Sequence, residues 1–99
     1  MTTIDDADLG RLLARAARGD TGAFMRFYDA TSRCAFGLAL AKARARGLRG
    51  GQAEREAMVE SEVWYVRAWA RSHEHATSGL SPLAWLLSLP ALTDEAACA

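Results

Sequence analysis

The stretch that decides the fold is Leu12-Leu13-Ala14-Arg15-Ala16-Ala17-Arg18-Gly19-Asp20-Thr21-Gly22-Ala23-Phe24. Leu, Ala and Arg lose little freedom in a helix, so its first half reads as the end of one. Gly19 stops that helix, and Asp20 directly after it is placed to cap the next. Working back, Asp5 or Asp6 is the expected N-cap of a first helix running to Arg18, with Leu9, Leu12, Leu13 and Ala16 as its inward stripe. Working forward, Phe24, Phe27, Tyr28, Thr31, Cys34, Ala35 and Leu38 recur at helical spacing toward Ala45. The run Gly47-Leu48-Arg49-Gly50-Gly51 then reads as a flexible loop.

A third helix is expected from Gln52 to His73, with Val59, Val63, Val66 and Ala70 at the centre of its inward face and Met58, Glu62 and Trp69 along the flank. Trp64 points away from that face. It either covers a neighbouring helix or loop, or anchors an interface. Ser81-Pro82 opens a fourth, short helix, because Ser caps well and Pro at the first helical position loses only an amide that would be unpaired. Leu83, Ala84, Trp85, Leu86, Leu87 and Leu89 make it apolar nearly all round, so it is either buried on several sides or waiting for a partner. Pro90 disfavours further helix, and Thr93 to Ala99 read as a loose tail. No run of alternating β-branched residues suggests a strand, so the fold class is all-α.

With 99 residues, 51% of them hydrophobic, the chain has room for one small core. Twelve Lys and Arg balance twelve Asp and Glu, so any nucleic-acid contact has to be local. The apolar run Pro82 to Leu92 is shorter than the roughly 20 residues of a spanning helix, and the amino terminus is acidic where a signal peptide is basic. The expected location is the cytoplasm, with no membrane contact. Cys34 and Cys98 form no disulfide framework, and His73 and His75 lack further ligands at metal spacing, so neither metal nor cofactor is expected. No phosphate loop or nucleophile elbow is present, and Glu54, Glu56, Glu60 and Glu62 read as a solvated or partner-facing edge rather than acid-base catalysts. An enzyme is not expected.

Three segments carry a resemblance. Leu12 to Phe24, followed by Phe27-Tyr28-Asp29, is similar to the opening of domain 2 of the extracytoplasmic-function sigma factors of the sigma-70 family. Tyr65-Val66-Arg67-Ala68-Trp69 resembles the end of that family's polymerase-binding helix. Leu83-Ala84-Trp85-Leu86-Leu87 resembles the segment that follows, at the same spacing between the two tryptophans. The resemblance implies a compact four-helix bundle over residues 1–92, and a third helix that docks on the clamp coiled coil of the RNA polymerase β′ subunit. It also implies a loop before the fourth helix that captures an unstacked base of promoter minus-ten DNA. Carried over by position, Glu60, Glu62, Trp64 and Arg67 would face polymerase, Arg71, His73, His75 and Ser81 would lie toward DNA, and Trp69 and Trp85 would be core.

The chain departs from the family in three places. Val59-Glu60-Ser61-Glu62-Val63 stands where the family has an acidic stretch ending in Gln-Glu, and Leu89-Pro90-Ala91-Leu92 replaces a continuing basic helix. The family's second, helix-turn-helix domain is not expected within these 99 residues. The function implied is a transcription protein that binds polymerase and takes part in or modulates initiation, with weakened promoter recognition. The alternative is a sigma mimic that binds an anti-sigma or sigma protein through the fourth helix, or a homodimer that buries Leu83, Leu86, Leu87 and Leu89 between copies. The basic residues Lys42, Arg44, Arg46 and Arg49 read as cations offsetting the second helix's dipole.

Overall fold

Three of the four α-helices among the described residues start where a side chain satisfies a free amide, and the third in chain order starts without a side-chain cap. Asp5 Oδ1 accepts from the Asp8 amide (2.9 Å), Asp20 Oδ1 from Ala23 (3.0 Å) and Ser81 Oγ from Ala84 (3.3 Å). A computed structural model of the chain describes residues 5–89. The elements are α1 (Asp6–Ala16), α2 (Thr21–Ala45), α3 (Gly50–Arg71), a 3-10 segment (Ser72–Thr77) and α4 (Pro82–Ser88). The expected all-helical bundle is what forms. The loose tail, Cys98 and the end of the 1–92 domain lie outside the described residues.

The turns between helices close on glycines in the left-handed region, Gly19 (φ +92°) and Gly47 (φ +94°). Beyond each, an amide reaches back five residues, Asp20 to the Arg15 carbonyl (3.1 Å) and Leu48 to the Ala43 carbonyl (3.1 Å). Asp20 also accepts from Arg15 across this first turn, Nε at 3.0 Å and Nη2 at 2.7 Å. The Ala23 amide and then Arg15 hold its carboxyl below the usual carboxylate range. Asp8 is lowered as well, chiefly by the Arg11 guanidinium one helical turn away. The expected Gly-rich loop is shorter than its sequence suggests, because Gly50 and Gly51 form the first turn of α3.

The two long helices, α2 and α3, run antiparallel and pack along most of their length. Ala35, Ala39 and Ala43 of α2 and Ala53 and Ala57 of α3 are all buried, and small side chains let the two backbones approach closely. Phe24, Phe27, Tyr28 and Tyr65 widen the seam at the other end into an aromatic cluster with edge-on contacts. The periodicity of α2 was expected to bury Tyr28, Cys34 and Leu38, and it does not. The buried row is Ala23, Phe27, Thr31, Ala35, Ala39 and Ala43, which leaves those three exposed.

α1 covers one side of this hairpin with Leu9, Leu13 and Ala16, and α4 closes the end against α1 and α3. Trp85 and Leu86 of α4 and the following Leu89 are buried in this chain's own core. Of the two readings open for α4, the buried one is what forms. Leu86 and Leu89 are therefore not available to a second copy or to an anti-sigma protein without leaving the core, while Leu83 and Leu87 are partly buried. No helix among the described residues is long and apolar enough to cross a membrane.

Candidate protein-docking face on the third helix

The inward face of α3 is set by Ala53, Ala57, Glu60, Trp64 and Ala68, spaced four, three, four and four residues apart. Glu60 is only 6% exposed, and the Lys42 ammonium from α2 meets its Oε1 at 2.6 Å. The same ammonium lies 5.8 Å from the centroid of the Trp64 ring. One turn further along, Arg46 reaches Glu56 (2.9 Å). Lys42 and Arg46 therefore act across the helix pair as ion-pair partners of α3, beyond any effect on the α2 dipole.

Tyr65 completes the seam. Its hydroxyl shares a 2.7 Å hydrogen bond with Thr31, whose own hydroxyl donates to the Phe27 carbonyl (2.8 Å). Burial pushes the Tyr65 phenol up to about 12. Raising the folded pKa of an acid above its unfolded value of about 10 means that, above that pH, the unfolded chain gives up a proton the folded chain keeps. Stability contributed by the neutral phenol is therefore present below pH 10 and lost as pH rises toward 12. Thermal melts should show a fall in stability over that interval in the native chain and a smaller fall in Tyr65→Phe.

This arrangement reverses the expected orientation of α3. Trp64 is 2% exposed and belongs to the core, whereas Trp69, expected there, is 40% exposed and rests one edge on Phe24 at 5.3 Å. The valines expected inside face outward, with Val59 46% and Val66 70% exposed. The physical reason lies in α2, whose alanine row accepts the alanines of α3 at close range and supplies Lys42 for Glu60. Trp64 follows them inward because it stands seven residues after Ala57 on the same face.

Val59, Glu62, Val63, Val66, Ala70 and Arg71 now line a shallow, largely apolar groove along the outside of α3. Of the four residues expected to face polymerase, Glu62 and Arg67 lie along this groove, while Glu60 and Trp64 are buried beneath the opposite face. The signal that would have found the groove was the complementary charge of Lys42 and Arg46 against Glu60 and Glu56, which pins which side of α3 meets α2.

The segment expected to face DNA is mostly occupied by internal contacts. Residues 72–77 form the 3-10 segment, packed on α1. The His75 ring donates from Nε2 to the Leu80 carbonyl (3.2 Å) and meets Trp85 edge-on (5.7 Å). Ser78 Oγ donates to the His75 carbonyl (2.8 Å) and accepts from the Leu80 amide (3.1 Å). Ser81 caps α4. His73 is exposed, and Arg71 stands at the end of the α3 groove.

Over 82 residues, 83% of its length, the chain is 37% identical to the ECF RNA polymerase sigma factor SigK of Mycobacterium ulcerans (strain Agy99). It carries an ECF sigma factor-like region. The chain spans about 40% of the length of that relative. No family model matches the sigma-like chain, and no solved structure matches it significantly. Among its described residues, no group of three or more His, Cys, Asp or Glu side chains is placed to hold a metal ion.

Proposed function

We propose that the sigma-like region is a non-enzymatic transcription protein that docks on the β′ clamp coiled coil of RNA polymerase through the outward face of α3, and so takes part in or modulates initiation. The observation that carries this reading is the stripe Val59, Val63, Val66 and Ala70, which has the spacing of a core face and stands outside the core. Desolvating exposed valines at helical spacing favours association with another helix, and a coiled coil offers a matching pattern of ridges. Glu62 and Arg71, nine residues and so about half a turn apart, flank the stripe on its two edges and add polar contacts around it. This moves the docking surface about a third of a turn around α3 from Glu60 and Trp64 and keeps Glu62 and Arg67.

Promoter reading by the segment before α4 is weakened in this account. His75 and Ser81 are committed to internal hydrogen bonds, and Arg71 and His73 alone are a small footprint for DNA. The account is tested by calorimetric titration of the chain into the clamp coiled coil, with an expected Kd in the micromolar range, about −8 kcal/mol. A folded chain that shows no heat of binding at hundreds of micromolar contradicts it.

A further inference from the structure

The α3 stripe carries the most exposed large apolar side chain among the described residues, Val66 at 70%, and the chain leaves the core beside the same helix. α4 packs on α1 and α3, and Leu89 at its end is buried in one cluster with Trp64 and Ala68, which bracket Arg67 along α3. Leu89 has φ −65° and ψ 144°, the extended geometry that a following proline favours, so the backbone turns off the α4 axis there. The charges of the groove are divided between its edges. Arg67 and Arg71 stand about one turn apart on one edge, whereas Glu62 lies about 140° and 180° around the helix from them, on the other. Arg71 forms no ion pair with a described residue. The segment that follows Leu89 is Pro90-Ala91-Leu92-Thr93-Asp94-Glu95, with one large apolar side chain, then two acids, and no cation. Six extended residues reach about 20 Å, and the stripe from Val63 to Ala70 is about 10–11 Å long. The groove between α1 and α2 fits an acidic segment less well, because Asp8 and Asp29 line it and two of its three arginines, Arg11 and Arg15, already pair with Asp8 and Asp20.

We propose that the segment after α4 folds back across the α3 stripe, with Leu92 covering Val63 and Val66 and with Asp94 and Glu95 meeting Arg67 and Arg71. Because the segment is joined to the domain it covers, a contact too weak to hold two separate molecules is populated within one. The stripe is the surface assigned above to the polymerase clamp, so the consequence that the segment gates docking rests on that reading, while the contact itself does not. The apparent affinity for the clamp is then set by the fraction of chains whose stripe is uncovered.

Methyl NMR of the full chain reads the contact directly. The Leu92 methyls should give nuclear Overhauser peaks to the methyls of Val63 and Val66, and these should disappear in the double variant Asp94→Lys with Glu95→Lys. That variant alters no described residue and should melt like the native chain. A native chain without those peaks, or with valine signals identical to those of the variant, overturns the proposal. In clamp titrations of the same two proteins, the variant should bind about tenfold more tightly, the gain expected when the native stripe is uncovered in about one chain in ten. Overhauser peaks with clamp binding absent, or unchanged in the variant, remove the docking reading and leave the fold-back. Clamp binding of equal strength in both proteins, without the peaks, removes the fold-back and leaves docking in place.

Discussion

Trp64→Ala is expected to destabilise the chain by about 3–5 kcal/mol, and Trp69→Ala by no more than about 1–2 kcal/mol. The indole of Trp64 is almost fully withdrawn from solvent beneath Lys42, among alanines too small to collapse into the space it would leave. Trp69 keeps two-fifths of its surface in water, and its main ring contact is one edge of Phe24. A domain of this size typically has about 5–15 kcal/mol of stability, so the first substitution removes a large fraction of it. Each kcal/mol lowers the melting temperature of so small a domain by about 4–8 °C, which puts the Trp64 variant at least ~12 °C below the parent. Urea unfolding of both variants measures the difference. The opposite ranking would mean that α3 is rotated by roughly half a turn from the orientation described.

Placing carboxylates on the outward stripe should have the opposite profile. Val59→Asp with Val66→Asp leaves the core untouched, because both side chains project from the exposed side of α3, and the expected loss of stability is about 1 kcal/mol. Clamp binding should fall by about 100-fold or more, since two charges would have to be desolvated in a contact that has nothing to pair with them. Calorimetry of the double variant beside its own thermal melt checks both halves. A variant that melts like the parent and still binds normally would move the docking surface off the stripe.

Where α2 and α4 begin was legible in the sequence because caps are local. Asp20 after Gly19, and Ser81 before Pro82, place the starts of α2 and α4 within a residue, since each cap satisfies amides only three positions away. The rotation of α3 about its axis was not legible. Valines 59, 63 and 66 outweigh alanines 53, 57 and 68 on any scale of apolarity, and a reading by periodicity turns the heavier side inward. Close approach of two alanine-lined helices, with Glu60 neutralised by Lys42, depends on a partner helix that periodicity along a single helix does not register. The same blindness applied to α4, where apolar residues all round fit a buried helix or an unpartnered one equally well until α1 and α3 are seen to enclose it. His75 and Ser81 looked like a polar loop edge, whereas one ties down the turn before α4 and the other caps it.

The central claim is that the valine face of α3 is the surface that meets polymerase, and methyl-resolved NMR of the chain during titration with the β′ clamp coiled coil tests it most directly. The account predicts that the methyl signals of Val59, Val63 and Val66 shift or broaden first and most, while those of Leu13 and Leu86 in the core change little. Saturation of the clamp with the valine signals unmoved, and with shifts confined to Leu12 and its neighbours in the groove between α1 and α2, would contradict it.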